Sequence, residues 1–393
     1  MSLYGGNPWR AEADLRPGLE LLPERAEVVV VGGGLTGALM LAMLVEAGVD
    51  ARLLEARAAP GLAASGRHLG HVSTGLIEHP YRLLHAMGRE NAEALIRFSL
   101  ENHEILASWT SFAPTGDLWC ALDEREQPQI AMSVEALEEM GVSVESLGAS
   151  EVNARTGGVG LGPGMWVPGG GVIHPANAVD ELVARAPDRV HVGCPVTAIT
   201  EDHAGPRVHV GERSIAAELV VVAANAWSPS IDPAFADKIH PVREQGLRFA
   251  PTQVPVRAAG RAGYGYTTWR AAPDGALLVS GCRWATPHME VGETDDHRTV
   301  DAIQRKVEGF GRVHFPEATQ APITHRWSWI TATTCDGLPI VGPLPGRATL
   351  IACAGFCGNE AGLGARAAKA VVDGILHGNS TGLPSFLAAS RFV

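Results

Sequence analysis

The chain has 393 residues, of which 46% are hydrophobic, and a formal net charge of -12. A sequence of this length and apolar content can bury a large core and divide into about two domains, and it is not disordered. The negative balance runs against nucleic acid or an anionic membrane surface as partner. The opening stretch, MSLYGGNPWRAEADLRPG, is polar and lacks the apolar centre of a signal peptide, so a cytoplasmic location is expected.

Residues 26–57 read AEVVVVGGGLTGALMLAMLVEAGVDARLLEAR. The β-branched run Val28 to Val31 predicts a buried parallel strand, Leu35 to Ala47 a helix, and Ala51 to Leu54 a second strand. Between the first strand and the helix stand Gly32, Gly34 and Gly37 at G-x-G-x-x-G spacing, and Glu55 closes the second strand 23 residues after Gly32. Gly32 permits the tight turn, Gly34 lets the backbone approach a pyrophosphate, and Gly37 lets helix and strand pack closely. The first helical residues, Leu35 and Thr36, offer the helix N-terminus to phosphate charge. Glu55, followed by Ala56, is placed to accept hydrogen bonds from ribose hydroxyls. The apolar run Val28 to Val49 is long enough to span a bilayer, but its glycines and its strand-then-helix order fit the nucleotide fold better.

Further along, residues 90–109 predict a helix with Ala92, Leu95, Ile96, Ser99, His103 and Leu106 on one face. A second helix is predicted over 127–140, and Pro175 marks the start of a third. Val190–Val192, Val196–Ile199 and Leu219–Ala223 read as strands. From about residue 245 to 290 the pattern changes to short strands with Gly and Pro turns, Gly263–Trp269 and Ala276–Ser280 among them. Helices follow over 297–310 and 361–377. The six cysteines include no C-x-x-C pair and read as reduced thiols, with no metal site.

Five ordered segments make the chain similar to the D-amino-acid oxidase superfamily of FAD enzymes. The first is the glycine-rich unit above. The second, AASGRHLGHVSTGL at 63–76, resembles the family's A-S-G-R-N-G-G segment. There the resemblance implies Ser65, Gly66 and Arg67 at the phosphates, and Gly70 beside the isoalloxazine. The third, VVVAANAWSPS at 220–230, resembles a strand and turn under the cofactor, with Ala224 and Trp227 as contacts, while the main chain of Val196 meets the adenine. The fourth, PVREQGLRF at 241–249, resembles the crossing into the substrate domain. The last comprises WITATTCDGLPIVGPLPG and IACAGFCGNEAGLGARAA, which bring Gly355, Gly358, Asn359, Glu360 and a helix N-terminus to the flavin ring. The N-terminal YGGNPWRAEADLRPGLELL also resembles an extension found in part of the family.

The resemblance implies an α/β fold: a Rossmann-like FAD-binding domain (residues 1–88, 158–240 and 325–393) interleaved with a mixed-sheet substrate domain (89–157 and 241–324). It implies FAD as cofactor, bound non-covalently, with attachment through His68 as the covalent alternative, since His68 replaces the family's Asn. Oxidation of an amine C–N bond is expected, with a small-molecule amine as substrate and oxygen or another electron acceptor as partner. His71, Arg283 and Trp329 are the candidate catalytic residues, and Tyr264, Tyr266, Trp269, Trp284 and Trp327 are further candidate walls of an aromatic pocket. The arginines with which glycine and D-amino-acid oxidases hold a substrate carboxylate fall at Thr331 and near Gly358, and the lysine that activates oxygen in sarcosine oxidase falls near Val279. A hydroxyl substrate is the alternative. An RNA-modification module is a remoter one, because a tRNA-modifying protein carries a domain of this superfamily.

Overall fold

The computed structural model describes residues 6–10, 21–254, 256–378 and 382–392. The strand β1 (Arg25–Val31) runs into the helix α1 (Leu35–Glu46) and returns as β2 (Ala51–Leu54), within a residue or three of the boundaries the sequence predicts. Val31 pairs with Leu54 on one side and Val222 on the other, both in parallel. Buried on both faces, Val29 and Val30 have no exposed surface. Each contributes on the order of 2 kcal/mol of burial, which is why this strand is uniformly apolar rather than alternating.

Two large sheets organise the chain. The first has the order Ile340–Leu344, Arg347–Ala354, Arg213–Val222, β1, β2, Val190–His191, with the hairpin Ala198–Asp202 and Gly205–Val210 attached to Arg213–Val222. Helix α1 and the C-terminal helix Glu360–His377 pack together over it, sharing a core that includes Leu39, Leu41, Leu363 and Ala367. The second sheet has the order Ile323–Thr334, Ile239–Phe249, Leu277–Gly281, Thr267–Ala271, Gly260–Ala262, Asp117–Cys120, Gly164–Val167, Glu145–Leu147. Helix Asp301–His314 covers it through Ile303, Val307 and Phe310.

Several expected boundaries move. The helix predicted from residue 90 begins at Pro80 and bends at Gly88, whose φ is 76°. Its apolar residues reach both layers: Ala92, Leu95 and Phe98 share the core beneath α1 with Leu363 and Phe356, while Ile96 packs with Trp119, Met165 and Val167 of the second sheet. Gly164–Val167 and Ile323–Thr334 are strands of the second sheet, although 158–240 and 325–393 were expected in the first layer. The single strand expected over Gly263–Trp269 is interrupted: Gly263, Tyr264 and Gly265 take φ of 60°, 59° and 77°, which makes a tight turn between Gly260–Ala262 and Thr267–Ala271. Most of the N-terminal extension lies outside the described residues. Its described part is tied down by Asn7 Nδ2 donating to the Gly66 carbonyl at 3.1 Å and Trp9 Nε1 to that of His68 at 2.9 Å.

The closest approach in the first layer is at Gly37, where a Cβ would lie 2.0 Å from the Gly32 carbonyl oxygen. Gly37→Ala is expected to lower stability by about 2–4 kcal/mol, because backbone and not a side chain must move. Gly309→Ala, in a helix with open space around the added methyl group, is expected to raise it by about 0.5–1 kcal/mol. Denaturant unfolding of the two variants checks both signs.

Candidate active site and cofactor cradle

At the end of β1 the chain turns on Gly32, at φ 115°, so closely that a Cβ there would lie 2.6 Å from the Ala223 carbonyl oxygen. Glu55 leaves the end of β2 and clasps this turn. Its Oε2 accepts the Gly33 N–H at 2.8 Å and its Oε1 the Arg57 N–H at 2.8 Å, while burial raises its carboxyl above the usual range. Cys194 N–H donates to the Glu55 carbonyl, which brings the loop carrying half-buried Val196 alongside. Ala224 and Trp227 follow Arg213–Val222 on the far side of the turn, where the Trp227 N–H donates to the Ala224 carbonyl.

Ser65 stands over the N-terminus of α1. Its hydroxyl accepts the Leu35 N–H at 3.0 Å and donates to Glu360 Oε1 at 2.8 Å. A Cβ on Gly34 would meet Ser65 Oγ at 2.7 Å and Glu360 Oε1 at 3.4 Å. Gly66 is required by the Gly61 carbonyl, 2.0 Å from where its Cβ would be. Arg67 is turned elsewhere. Its Nη1 donates to the carbonyls of Asp296 and Ser328 at 3.2 Å each and pairs with the Asp296 carboxylate, so the phosphate donor expected from the sequence is engaged with the 296 loop. The Ser65 hydroxyl thus converges with bare glycine backbone on a helix N-terminus, an arrangement suited to a pyrophosphate, with the Glu360 carboxyl beside it.

A cavity of about 410 Å³ opens beside this cradle, between the two sheets. His68, Gly70 and His71 line one wall, Gly358, Asn359 and Glu360 another, and Glu244, Arg283 and Trp329 a third. Gly70, at φ 81°, is hemmed in by the Ile173 carbonyl and Arg270. Gly355 and Gly358 also need positive φ, 77° and 83°, and Asn359 Nδ2 anchors their loop to the Gly75 carbonyl at 2.6 Å. His68 Nδ1 accepts the Gly70 N–H at 2.9 Å, and its shielded Nε2 has no partner. Desolvation, reinforced by the Arg270 charge, lowers its pKa to about 4. His71 Nε2 is likewise shielded and without a partner, and desolvation with the Arg261 and Arg270 charges holds that ring well below the usual histidine range.

Of the aromatic walls expected, Tyr264, Tyr266 and Trp329 line the cavity. Trp269 and Trp327 do not: they are 0% and 1% exposed, Trp269 turned by strand alternation away from the face of Thr268, and Trp327 on the same face as Trp329 but deeper in the cluster they share, where its Nε1 donates to the Arg67 carbonyl. Trp284 lies outside, half exposed beneath Lys306. Arg283, a candidate catalytic residue, lines the cavity and pairs through Nε with Glu244 at 2.6 Å. Thr331 and Gly358 line the cavity, while Val279 is fully buried and its neighbour Ser280 faces inward, bonded to Thr268 at 2.8 Å.

Sequence reasoning missed Glu78, Arg82, Glu244 and Arg261, all of which line the cavity. It also missed Glu126, whose fully buried carboxylate accepts Trp119 Nε1 at 3.2 Å and the Tyr264 N–H at 2.5 Å, fixing the turn that presents Tyr264. None of these carries a local motif.

The FAD dependent oxidoreductase family matches residues 27–374 of this sequence. The chain belongs to that family. Gamma-glutamylputrescine oxidoreductase of Escherichia coli is 26% identical over 343 residues, which cover 81% of this chain and 76% of that protein. L-proline dehydrogenase from P. horikoshii superposes with a TM-score of 0.80 at 20% identity, covering 94% of this chain and 98% of its own. Glycine oxidase from Geobacillus kaustophilus gives 0.76 at 21%, covering 94% and 100%. At these identities the two structures share the fold.

FAD is the family's cofactor, and the cradle fits it. Gly32, Gly34 and Gly37 leave backbone bare at the helix N-terminus, Ser65 offers a hydroxyl, and Glu55 stands ready at the end of β2. Among the described residues no helix is long and apolar enough to cross a membrane. Gly34→Leu, which fills the space between Ser65 and α1, is expected to fold and to purify with less than a tenth of the wild-type flavin absorbance near 450 nm, roughly the loss that 1.4 kcal/mol or more of clash produces.

The histidines give a pH prediction. A ring whose folded pKa is lowered binds fewer protons folded than unfolded, so it costs stability as pH falls from the unfolded value near 6.5 towards 4. His68→Asn is therefore expected to flatten the fall in Tm between pH 6.5 and 4, as read by differential scanning fluorimetry.

Proposed function

We propose that the protein oxidises the C–N bond of a primary or secondary amine, a modified amino acid or polyamine derivative, rather than a simple α-amino acid. The observation carrying this reading is that every arginine lining the cavity already faces a carboxylate. Arg261 holds Asp117 with Nη2 at 2.8 and 2.7 Å from its two oxygens, Arg283 holds Glu244, and Arg82 lies 3.5 Å from Glu78. Arg261 and Asp117 are both buried, with side chains 3% and 10% exposed. Diverting that guanidinium to a substrate carboxylate leaves Asp117 uncompensated, at about 3–5 kcal/mol. No such penalty attends an amine without a free α-carboxylate.

When bound, FAD would supply a hydride acceptor for the carbon bearing the nitrogen; the substrate left behind is an iminium ion, which gives its N–H proton to solvent to become the imine. The chain's own residues make that transfer favourable. Trp329, buried, and Tyr264, half-buried, limit water and disfavour the charged ammonium form, which cannot release hydride. His71, neutral through the physiological range, lines the cavity with a shielded, unpartnered Nε2 that a turn of the ring would offer to the amine N–H. Its low basicity suits it to orient the amine rather than to store its proton. FAD is held by non-covalent contacts, and oxygen or another acceptor reoxidises it. The activity recorded in the name of the Escherichia coli relative, on a glutamylated diamine, is in keeping with this class.

Anaerobic mixing of the holoenzyme with secondary amines, polyamine conjugates, α-amino acids and hydroxy acids tests the reading. Bleaching of the flavin band by amines and conjugates, at least tenfold faster than by the α-amino acids, is expected. Bleaching by hydroxy acids alone sinks it, and admitting air afterwards identifies or excludes oxygen as acceptor.

A further inference from the structure

Glu360 occupies a place where a carboxylate conflicts with the cofactor. It is the first residue of the C-terminal helix, and its carboxyl reaches back across the cradle to Ser65 Oγ at 2.8 Å. The same hydroxyl accepts the Leu35 N–H, so one hydroxyl links the acid to the N-terminus of α1. Glu360 also lies against Thr36: a Cβ on Gly364 would meet Thr36 Oγ1 at 2.5 Å and Glu360 Cγ at 3.4 Å. Two helix N-termini therefore meet at this carboxyl, in the space beside Gly34 that the glycine-rich turn leaves for two phosphates.

We propose that Glu360 stands beside bound FAD as the neutral acid, so that the cofactor is taken up together with one proton and is held less tightly as the pH rises. A carboxylate and a pyrophosphate are both acceptors only, and both are negative. Side by side they repel, whereas a carboxylic acid donates a hydrogen bond to a phosphate oxygen. The alternative compensation, a cation between them, is not supplied among the described residues. The groups that favour the charged acid are Ser65 and Thr36, both uncharged, and desolvation already raises its pKa. Cys353, on the strand beneath, is a buried thiol pushed upward by desolvation and by Glu360 itself. Arg67 is held by Asp296 on the other side of its loop, and Glu55 grips the Gly33 N–H. The cavity histidines, His68 and His71, are both lowered and stay uncharged above pH 6. The two helix dipoles favour the anion, and the incoming phosphates outweigh them because they carry full charges.

The proposal does not depend on the substrate, and its test needs no turnover. Holoenzyme diluted to equilibrium at pH 6.0, 7.0 and 8.0 releases FAD, whose fluorescence gives Kd at each pH. One linked proton makes Kd rise with pH, by at most roughly tenfold per unit. Glu360→Gln, isosteric and unable to ionise, is expected to abolish that slope and to bind FAD more tightly than wild type at pH 8. Glu360→Met serves the same comparison if the amide variant does not fold. A wild-type Kd that is flat across this range, or a slope that survives in the variants, overturns the proposal. The second outcome would point to Glu55, whose carboxyl is also raised by burial.

Discussion

The geometry of this protein depends on one close approach, that of the first turn of α1 to the end of β1. Gly37 lies against the Gly32 carbonyl with no room for a methyl group, and Gly32 lies against the Ala223 carbonyl with little more. Those two contacts bring three backbone segments within reach of a single anion. They also aim the helix N-terminus at the line along which a dinucleotide must lie. Ser65 and Glu55, which come from later in the chain, find their partners only because this turn has been set.

From that fixed end the rest is a problem of bringing a second sheet over the first. The chain crosses between them several times: at the 68–71 segment, at the start of Ile239–Phe249, and at the end of Ile323–Thr334. The cavity lies where these crossings meet, which is why its wall is drawn from so many segments. Its charges are balanced in pairs across elements. Arg261 reaches Asp117 on the neighbouring strand, and Arg283 reaches Glu244 on another. A paired interior of this kind keeps the cavity polar without giving it a spare cation. It leaves the shielded Nε2 atoms of His68 and His71 without a partner.

The acidic groups beside the nucleotide play different parts. Glu55 has both oxygens occupied by main-chain N–H donors, which favour its charged form against the desolvation that opposes it. Glu360 has one hydroxyl and a helix end, and its charge is open to whatever arrives beside it. Environment, not residue type, separates the two.

The nucleotide unit was legible in the sequence nearly residue by residue. Its reasons are local: a β-branched run, glycines at fixed spacing, a helix of matching length, an acid at the next strand end. The family resemblance extended that reading to Ser65, Gly70 and the 355–360 loop, because those segments keep their order and composition. What the sequence did not reveal was which side chains share a cavity. Alternation put Ser280 inward and Val279 into the core, a difference of one residue in strand register. The partners of Arg67 and Arg283, and the buried carboxylate of Glu126, lie many residues away on other elements. Local spacing fixes backbone shape, since it acts through turns and hydrogen bonds between near neighbours. Charge pairing and cavity walls arise only when distant elements pack, so tertiary structure alone decided that every arginine at this site is already paired.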